Sequence, residues 1–326
     1  MTRVLRSVAL AAALILATAC NPPRAPMDPP ASATPSAPPT AAPAGWGTLF
    51  YYPQSPTARS APLVAWRPGD AQLRSLLNLD TYAALYTASI SGDGSQIAFA
   101  PGGPDTAPKP LVVADVDGRG QRTLLDSVLA ECPVTWSPDG RRLAVVKLSG
   151  EEAAPGFVDL GTGVFTVGIV EWTCHKAWSG DGRSMATASG GSLWLSAAET
   201  SEPVRRVPGL GEQTQGGRRT NDVLSLSRDA GLAAVHVRHE EAPTDPLRRL
   251  VQANEIVDTA TGESVPLPVT GQLVQAYFRP DGTAVLRARE GGRYTLVLVS
   301  TDLQVLAQVE EPVALAESVL LGAGTR

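Results

Sequence analysis

The chain is poor in the residues most often used for chemistry. Its 326 residues include three cysteines, three histidines and three methionines; aromatic side chains make up 5%, and lysine stands only at positions 109, 147 and 176. Of the histidines, His236 and His239 lie in or beside a long insertion with no cysteine or carboxylate cluster around them, so zinc-ligand spacing is missing. No Gly-x-Ser-x-Gly elbow is present and the length leaves no room for an attached hydrolase domain, which excludes serine peptidases built that way. Phosphate-cradling glycine loops are missing too: Gly216-Gly217-Arg218-Arg219 and Gly291-Gly292-Arg293 read as flexible turns. Basic residues do not outnumber acidic ones, since the formal charge is −5; a nucleic-acid binder shows the opposite balance. No stretch carries sustained helical periodicity. Hydrophobic residues, at 43%, nonetheless suffice for one large core.

Past residue 20 no run is apolar enough to span a bilayer, and the one long apolar run lies before it. Arg3 and Arg6 precede Val8 to Leu16, a length suited to the h-region of a signal peptide. The run ends Leu16-Ala17-Thr18-Ala19-Cys20. Small residues ahead of a cysteine resemble a bacterial lipobox, which implies cleavage after residue 19 and a diacylglycerol on Cys20. Residues 20–45 then form a Pro- and Ala-rich tether with almost no large apolar side chain, unable to build a core. At about 3.1 Å per residue it reaches up to roughly 75 Å from the lipid.

What the chain does have is a repeat. In Cys132-Pro133-Val134-Thr135-Trp136-Ser137-Pro138-Asp139-Gly140-Arg141-Arg142-Leu143-Ala144-Val145-Val146 an apolar strand ends at Trp136, a turn follows, and a second strand runs back. Pro138 presets φ at the first corner, Asp139 can accept from an amide two residues on, and Gly140 tolerates the left-handed conformation. Copies carry Asp93, Asp181, Asp229 and Asp281; in the fourth, Arg228 and Ala230 replace the Pro and Gly. Successive aspartates stand 46, 42, 48 and 52 residues apart, close to the period of a four-stranded propeller blade. Strands at Thr48–Tyr52, Leu63–Trp66 and Leu73–Leu77, with one more within Val313–Leu321, supply a sixth set from the two ends. The expectation is an all-β, six-bladed β-propeller over residues 46–322, with four-stranded blades and a ring closed by the N- and C-terminal strands.

The Trp-Ser-Pro-Asp-Gly-Arg-Arg-Leu run and its copies resemble the repeat of TolB-type six-bladed β-propellers. That resemblance implies a binding platform and not a particular ligand. No counterpart of TolB's separate N-terminal α/β domain is visible, so a role in the Tol system is not implied.

One residue per repeat, three before the aspartate, is large and apolar (Ile90, Trp136, Trp178, Leu226, Phe278), which reads as packing between blades. Four residues further back stand Tyr86, Cys132, Cys174, Asp222 and Val274, a row expected near the channel mouth. Cys132 and Cys174 are equivalent positions of neighbouring repeats, and in an oxidising compartment they form the natural disulfide pair. The repeated aspartates read as turn residues, not metal ligands, and no cofactor or metal is called for. The polar link Gly209 to Thr220, with Gln213, Arg218 and Arg219, and the insertion Arg238 to Leu250 are candidate partner loops.

These readings converge on a lipid-anchored extracytoplasmic propeller, on the outer face of the cell membrane, that binds or scaffolds an envelope protein or small ligand and is not an enzyme. Two alternatives stand beside it. One is a propeller enzyme of lyase or lactonase type using Tyr86, Glu131, Glu171, His175 and Asp222 at the channel mouth; the other is a purely structural envelope protein.

Overall fold

The computed structural model describes residues 45–54, 59–102, 108–150, 152–168, 174–198, 203–211, 217–238 and 252–326, all within the compact unit Ala41–Arg326. Cys20, Glu171, Gln213 and His239 lie outside the described residues, as do most of the insertion after Arg238 and the centre of the link after Gly211.

Strands run in short antiparallel sets. The first holds β1 (Leu49–Pro53), β2 (Ser60–Trp66) and β3 (Arg74–Asp80); next come β4 (Ser89–Ile90), β5 (Gln96–Phe99), β6 (Lys109–Asp115) and β7 (Arg122–Val128). Then follow β8 (Thr135–Trp136), β9 (Arg142–Ser149), β10 (Glu152–Asp159) and β11 (Phe165–Val167), and after them β12 (His175–Trp178), β13 (Ser184–Ser189), β14 (Ser192–Ala197) and β15 (Pro203–Arg206). The last are β16 (Arg219–Leu226), β17 (Leu232–Arg238) and β18 (Glu255–Asp258), then β19 (Gln272–Phe278), β20 (Ala284–Glu290), β21 (Arg293–Val299) and β22 (Val305–Glu310), and finally β23 (Ser318–Ala323).

β23 pairs with β1 in the order β23-β1-β2-β3, so the two ends of the fold share one sheet. The sets β4–β7 and β8–β11 are linked by a single pairing, Val128 with Lys147. Two local expectations need correcting. The C-terminal strand starts at Ser318, because Val313–Leu315 forms a 3-10 turn after Pro312. The sheet of β16, β17 and β18 has three strands where four were expected, with one bridge, Val257 to Ser264, in the outer place. Pro266 and Pro268 follow that bridge, and a proline has no amide to give to a ladder.

The repeated turn is built as its residues dictate. Ser137 donates to Asp139 at 2.6 Å, the Arg141 amide donates to the same carboxylate at 3.1 Å, and the Arg142 amide returns to the Ser137 hydroxyl at 2.9 Å. The degraded fourth copy keeps this geometry: Ser227 reaches Asp229 at 2.9 Å and the Gly231 amide does so at 3.0 Å, while Ala230 takes φ 61° in place of glycine. In the fifth copy Arg279 replaces the serine; its buried guanidinium donates to the carbonyls of Trp46 and Gly45, both at 2.8 Å, and so fastens the start of the fold.

Between sheets the core is made of the expected large apolar row. Trp178 packs on Phe157, ring centroids 5.2 Å apart, with Met185 and Ala144 around it. Trp136 packs among Leu143, Val145 and Val158 and donates its indole N–H to Ser89 at 2.9 Å. Truncating either tryptophan to alanine is expected to cost about 3–5 kcal/mol.

Candidate functional site

The repeated turns come together at one end of the inner strands. A Cβ added at Gly92 would stand 3.0 Å from the Pro280 ring, and one at Gly180 would stand 3.1 Å from the Arg228 Cα and 3.2 Å from the Pro280 Cα. Gly92 and Gly180 are therefore small because other turns lie against them, a reason that local turn chemistry does not disclose. Beneath these turns lies a cavity of about 130 Å³, walled by inner-strand residues of every sheet from β4 to β23. Its lining includes Trp136, Phe278 and Leu224, and four ionisable residues, Lys176, Asp222, Tyr277 and Arg279, the last two bonded elsewhere, to the Leu320 carbonyl and to the carbonyls of Trp46 and Gly45.

Lys176 is 5% exposed. No ion pair or hydrogen bond of its ammonium is formed, and burial alone lowers its pKa from the ordinary lysine range to about 7. The repeat shows how unusual it is. Five residues before the turn aspartate the other copies carry Ala88, Val134, Leu224 and Ala276, so the lysine occupies a position that is otherwise apolar.

Asp222 is 2% exposed and faces His175 across the boundary between β12 and β16, Oδ1 standing 2.9 Å from Nδ1. Its Oδ2 has no partner. The residue sits on a strand whose pairing with β17 slips twice, between Thr220 and Asp222 and again between Val223 and Ser225; such irregularities re-aim side chains next to functional sites. His236, opposite Asp222 in register, has an unpartnered Nδ1, and its pKa is lowered by burial and by Arg238, with Asp222 opposing. Among the described residues the buried side-chain polar atoms without a partner belong to Trp178, Thr220, Asn221, Asp222 and His236, all on β12, β16 or β17.

The other expected residues go elsewhere. Tyr86 stacks on Tyr82, centroids 4.2 Å apart and planes 9° from parallel, and neither it nor the half-buried Glu131 lines the cavity. Arg218 is taken up inside its own sheet: it pairs with Glu255 and donates to the Gly262 carbonyl at 2.6 Å and the Ser264 hydroxyl at 2.8 Å. The aliphatic part of Arg219 lies against Gly191. Cys132 and Cys174 are joined as a disulfide, their Cα atoms 4.5 Å apart, in a small buried cluster with Val146. Each turn carboxylate is held by its own turn; the Gly231 amide and Ser227 hydroxyl keep Asp229 below the usual carboxylate range. Among the described residues no group of three His, Cys, Asp or Glu side chains is placed to hold a metal, and no helix is long and apolar enough to cross a membrane.

Antiparallel four-stranded sets, a repeated inner-strand turn and a cavity walled by inner strands define a β-propeller, and the fold is of TolB type. No family model matches the chain. TolB from Acinetobacter baumannii superimposes with a TM-score of 0.54 at 16% identity, covering 84% of this chain and 66% of that one. The Tol-Pal system protein TolB of Coxiella burnetii is 45% identical over 53 residues, which is 16% of this chain and 12% of the relative. The propeller domain of the trilobed protease from Pyrococcus furiosus has a TM-score of 0.46 at 14% identity, covering 81% and 82%. The chain thus spans 12% of the Coxiella burnetii relative and 66% of the Acinetobacter baumannii TolB chain.

Proposed function

We propose that the chain is a lipid-anchored extracytoplasmic six-bladed β-propeller that acts as a binding or scaffolding module for an envelope partner. In this reading residues 1–19 are the signal peptide, Cys20 carries the lipid on the outer face of the cell membrane, residues 20–45 are the tether and residues 46–322 the propeller. The linked sets β4–β7 and β8–β11 count as two blades, and β23 beside β1 closes the ring. The observation that carries the reading is the concentration of unpartnered buried polar atoms on β12, β16 and β17, of which those of Trp178 and Asp222 belong to residues lining the axial cavity. Native interiors pair such groups, so a cluster left open beside a cavity fits a surface held ready for a partner. The Coxiella burnetii relative is a Tol-Pal system protein, which supports a partner in the envelope.

Pull-down with the full chain from detergent-solubilised membranes tests this. Enrichment of a defined envelope protein, reduced when Asp222→Asn replaces the wild type, is the expected result; recovery of the bait alone, at wild-type expression, would leave the structural alternative standing. Mass spectrometry of the mature N-terminus tests the anchor, with an acylated Cys20 expected and any unmodified start elsewhere overturning it.

A further inference from the structure

Of the four ionisable residues around the axial cavity, three are already engaged. The Tyr277 hydroxyl donates to the Leu320 carbonyl at 2.6 Å, and all three nitrogens of Arg279 are bonded, to Thr283, Trp46 and Gly45. Asp222 is joined to His175 through Oδ1, and its Oδ2 is sealed, with no surface that a molecule in the cavity could touch. The hydroxyls of Ser91, Ser137 and Ser225 on the same wall are given to Asp93, Asp139 and the Ala276 carbonyl. Lys176 is the exception. It lines the cavity, is 5% exposed, and has no partner among the described residues. The sealed unpartnered atoms of this region belong to Trp178, Thr220, Asn221, Asp222 and His236, so the lysine nitrogen, which is not one of them, keeps some open surface. A buried cation left without a counter-charge weakens the fold that holds it, and the other repeats place apolar residues there. Water in the cavity can bond the ammonium but cannot cancel its charge. One negative charge can, and a second would be left over, because Arg279 is bonded elsewhere. Val134 and Leu224 hold the equivalent places of the flanking repeats and line the cavity too, and the Thr135 hydroxyl donates to the Lys176 carbonyl at 3.2 Å, so the neighbouring strand lies against the lysine. Those two side chains give a short aliphatic tail an apolar wall, and a volume of about 130 Å³ admits nothing long.

We propose that the axial cavity binds a small aliphatic monocarboxylate, its carboxylate paired with the ammonium of Lys176 and its tail lying against Val134 and Leu224. The inference goes beyond the reading of the chain as a module for an envelope partner and does not depend on that partner.

Titration calorimetry on the intact protein with acetate, propionate and butyrate tests it, with butyramide as the neutral isostere and chloride as the monoanion without a tail. At about pH 6 one of the carboxylates is expected to bind with a Kd of about 1 mM or tighter, at least about tenfold better than butyramide or chloride. Because Lys176 loses its proton near pH 7, that binding should weaken by about tenfold or more on going to about pH 9. Of the strands packed against β12, β8 and β13 carry no titratable side chain and β16 carries Arg219 and Asp222, while β12 itself carries His175. Lys176→Met keeps all three of these and so isolates the lysine; checked for an unchanged circular dichroism spectrum, it should weaken binding at about pH 6 by about tenfold or more. The pH arm uses the wild type alone, so the test survives if the variant folds poorly. No heat from any carboxylate, equal binding of butyramide or chloride, unchanged affinity at about pH 9, or undiminished binding in a folded Lys176→Met would overturn the proposal. Partner capture is read separately by pull-down, so a silent calorimeter beside a captured partner removes this inference and leaves the broader reading intact.

Discussion

Two buried polar regions on the inner strands behave in opposite ways. On the side of β19, β20 and β23 every group is answered. Arg287 donates to Glu311 at 2.6 Å, to Gln275 at 2.9 Å and to the Ser318 carbonyl at 2.8 Å, while Tyr51 donates to Glu311 at 2.7 Å. Gln275 exchanges hydrogen bonds with both the amide and the carbonyl of Leu320, at 3.0 and 2.8 Å. On the side of β12, β16 and β17, Lys176 and Asp222 line a cavity, and among the described residues neither the Lys176 ammonium nor the second oxygen of Asp222 has a partner. The closed network ties β20 and the segment before β23 to β1, which is where the two ends of the chain meet. The open one makes a single tie, from Asp222 to His175 across β16 and β12. A polar group that is paired inside the protein serves the fold, and one left unpaired calls for an explanation outside it, such as a bound water, an ion or a partner.

That contrast can be broken first on the closed side. Arg287→Ala leaves Glu311 buried without a counter-charge, held only by the Tyr51 hydroxyl, and burial already pushes that carboxyl up against the pull of Arg287. A loss of about 3–5 kcal/mol in urea unfolding is expected, whereas Asp222→Asn should change stability by less than about 1 kcal/mol because no bond of its Oδ2 is lost. Equal losses would erase the distinction.

The open side depends on a covalent link that the closed side does not need. The disulfide between Cys132 and Cys174 closes a loop of 42 residues and is expected to contribute about 3 to 4 kcal/mol by restricting the unfolded chain. Intact-mass analysis after alkylation without reductant should show no free thiol in the folded domain, and unfolding with reductant should shift to lower urea. Two alkylatable thiols would contradict the bridge.

A smaller effect reports on Lys176. Its folded pKa is about 7, against about 10.4 in an unfolded chain, so between those values the unfolded state holds more protons and stability must rise with pH. An increase on the order of 3 kcal/mol from pH 7 to pH 10 is expected, and Lys176→Met should lose most of it while gaining stability at pH 7. Smallest of all is the fourth turn, where Ala230 stands at φ 61°. Ala230→Gly should stabilise by about 1 kcal/mol in thermal unfolding, with no effect on the cavity.

These contrasts also show what the sequence discloses and what it hides. The turns were legible because Ser, Pro, Asp and Gly act within a few residues, and the fourth copy kept its shape because the Ser227 and Asp229 bonds survive the loss of Pro and Gly. Cys132 and Cys174 were legible as a pair because equivalent positions of a repeat become neighbours in space; Asp222 stands in the same row, whereas its partner His175 lies one residue out of it and the bond between them was not foreseen. Arg287 and Glu311 were not, since their partner Tyr51 lies 260 residues from Glu311 and no periodicity links them. Lys176 was passed over inside an apolar strand, though aligning the copies would have set it against Ala88, Val134, Leu224 and Ala276. Tyr86 and Arg218 were read toward a ligand by repeat position and loop polarity, and local partners occupy them instead. The missing outer strand beside β18 was written in Pro266 and Pro268.

The scarcity of lysine makes the central claim directly measurable. With lysine only at 109, 147 and 176, a protein carrying isotope-labelled lysine should give three Nζ resonances in an NMR pH titration. One of them, assigned with Lys176→Met, should titrate near pH 7, well below the ordinary lysine range. Three resonances that titrate together in the ordinary lysine range would contradict the account of Lys176 as a buried cation without a partner.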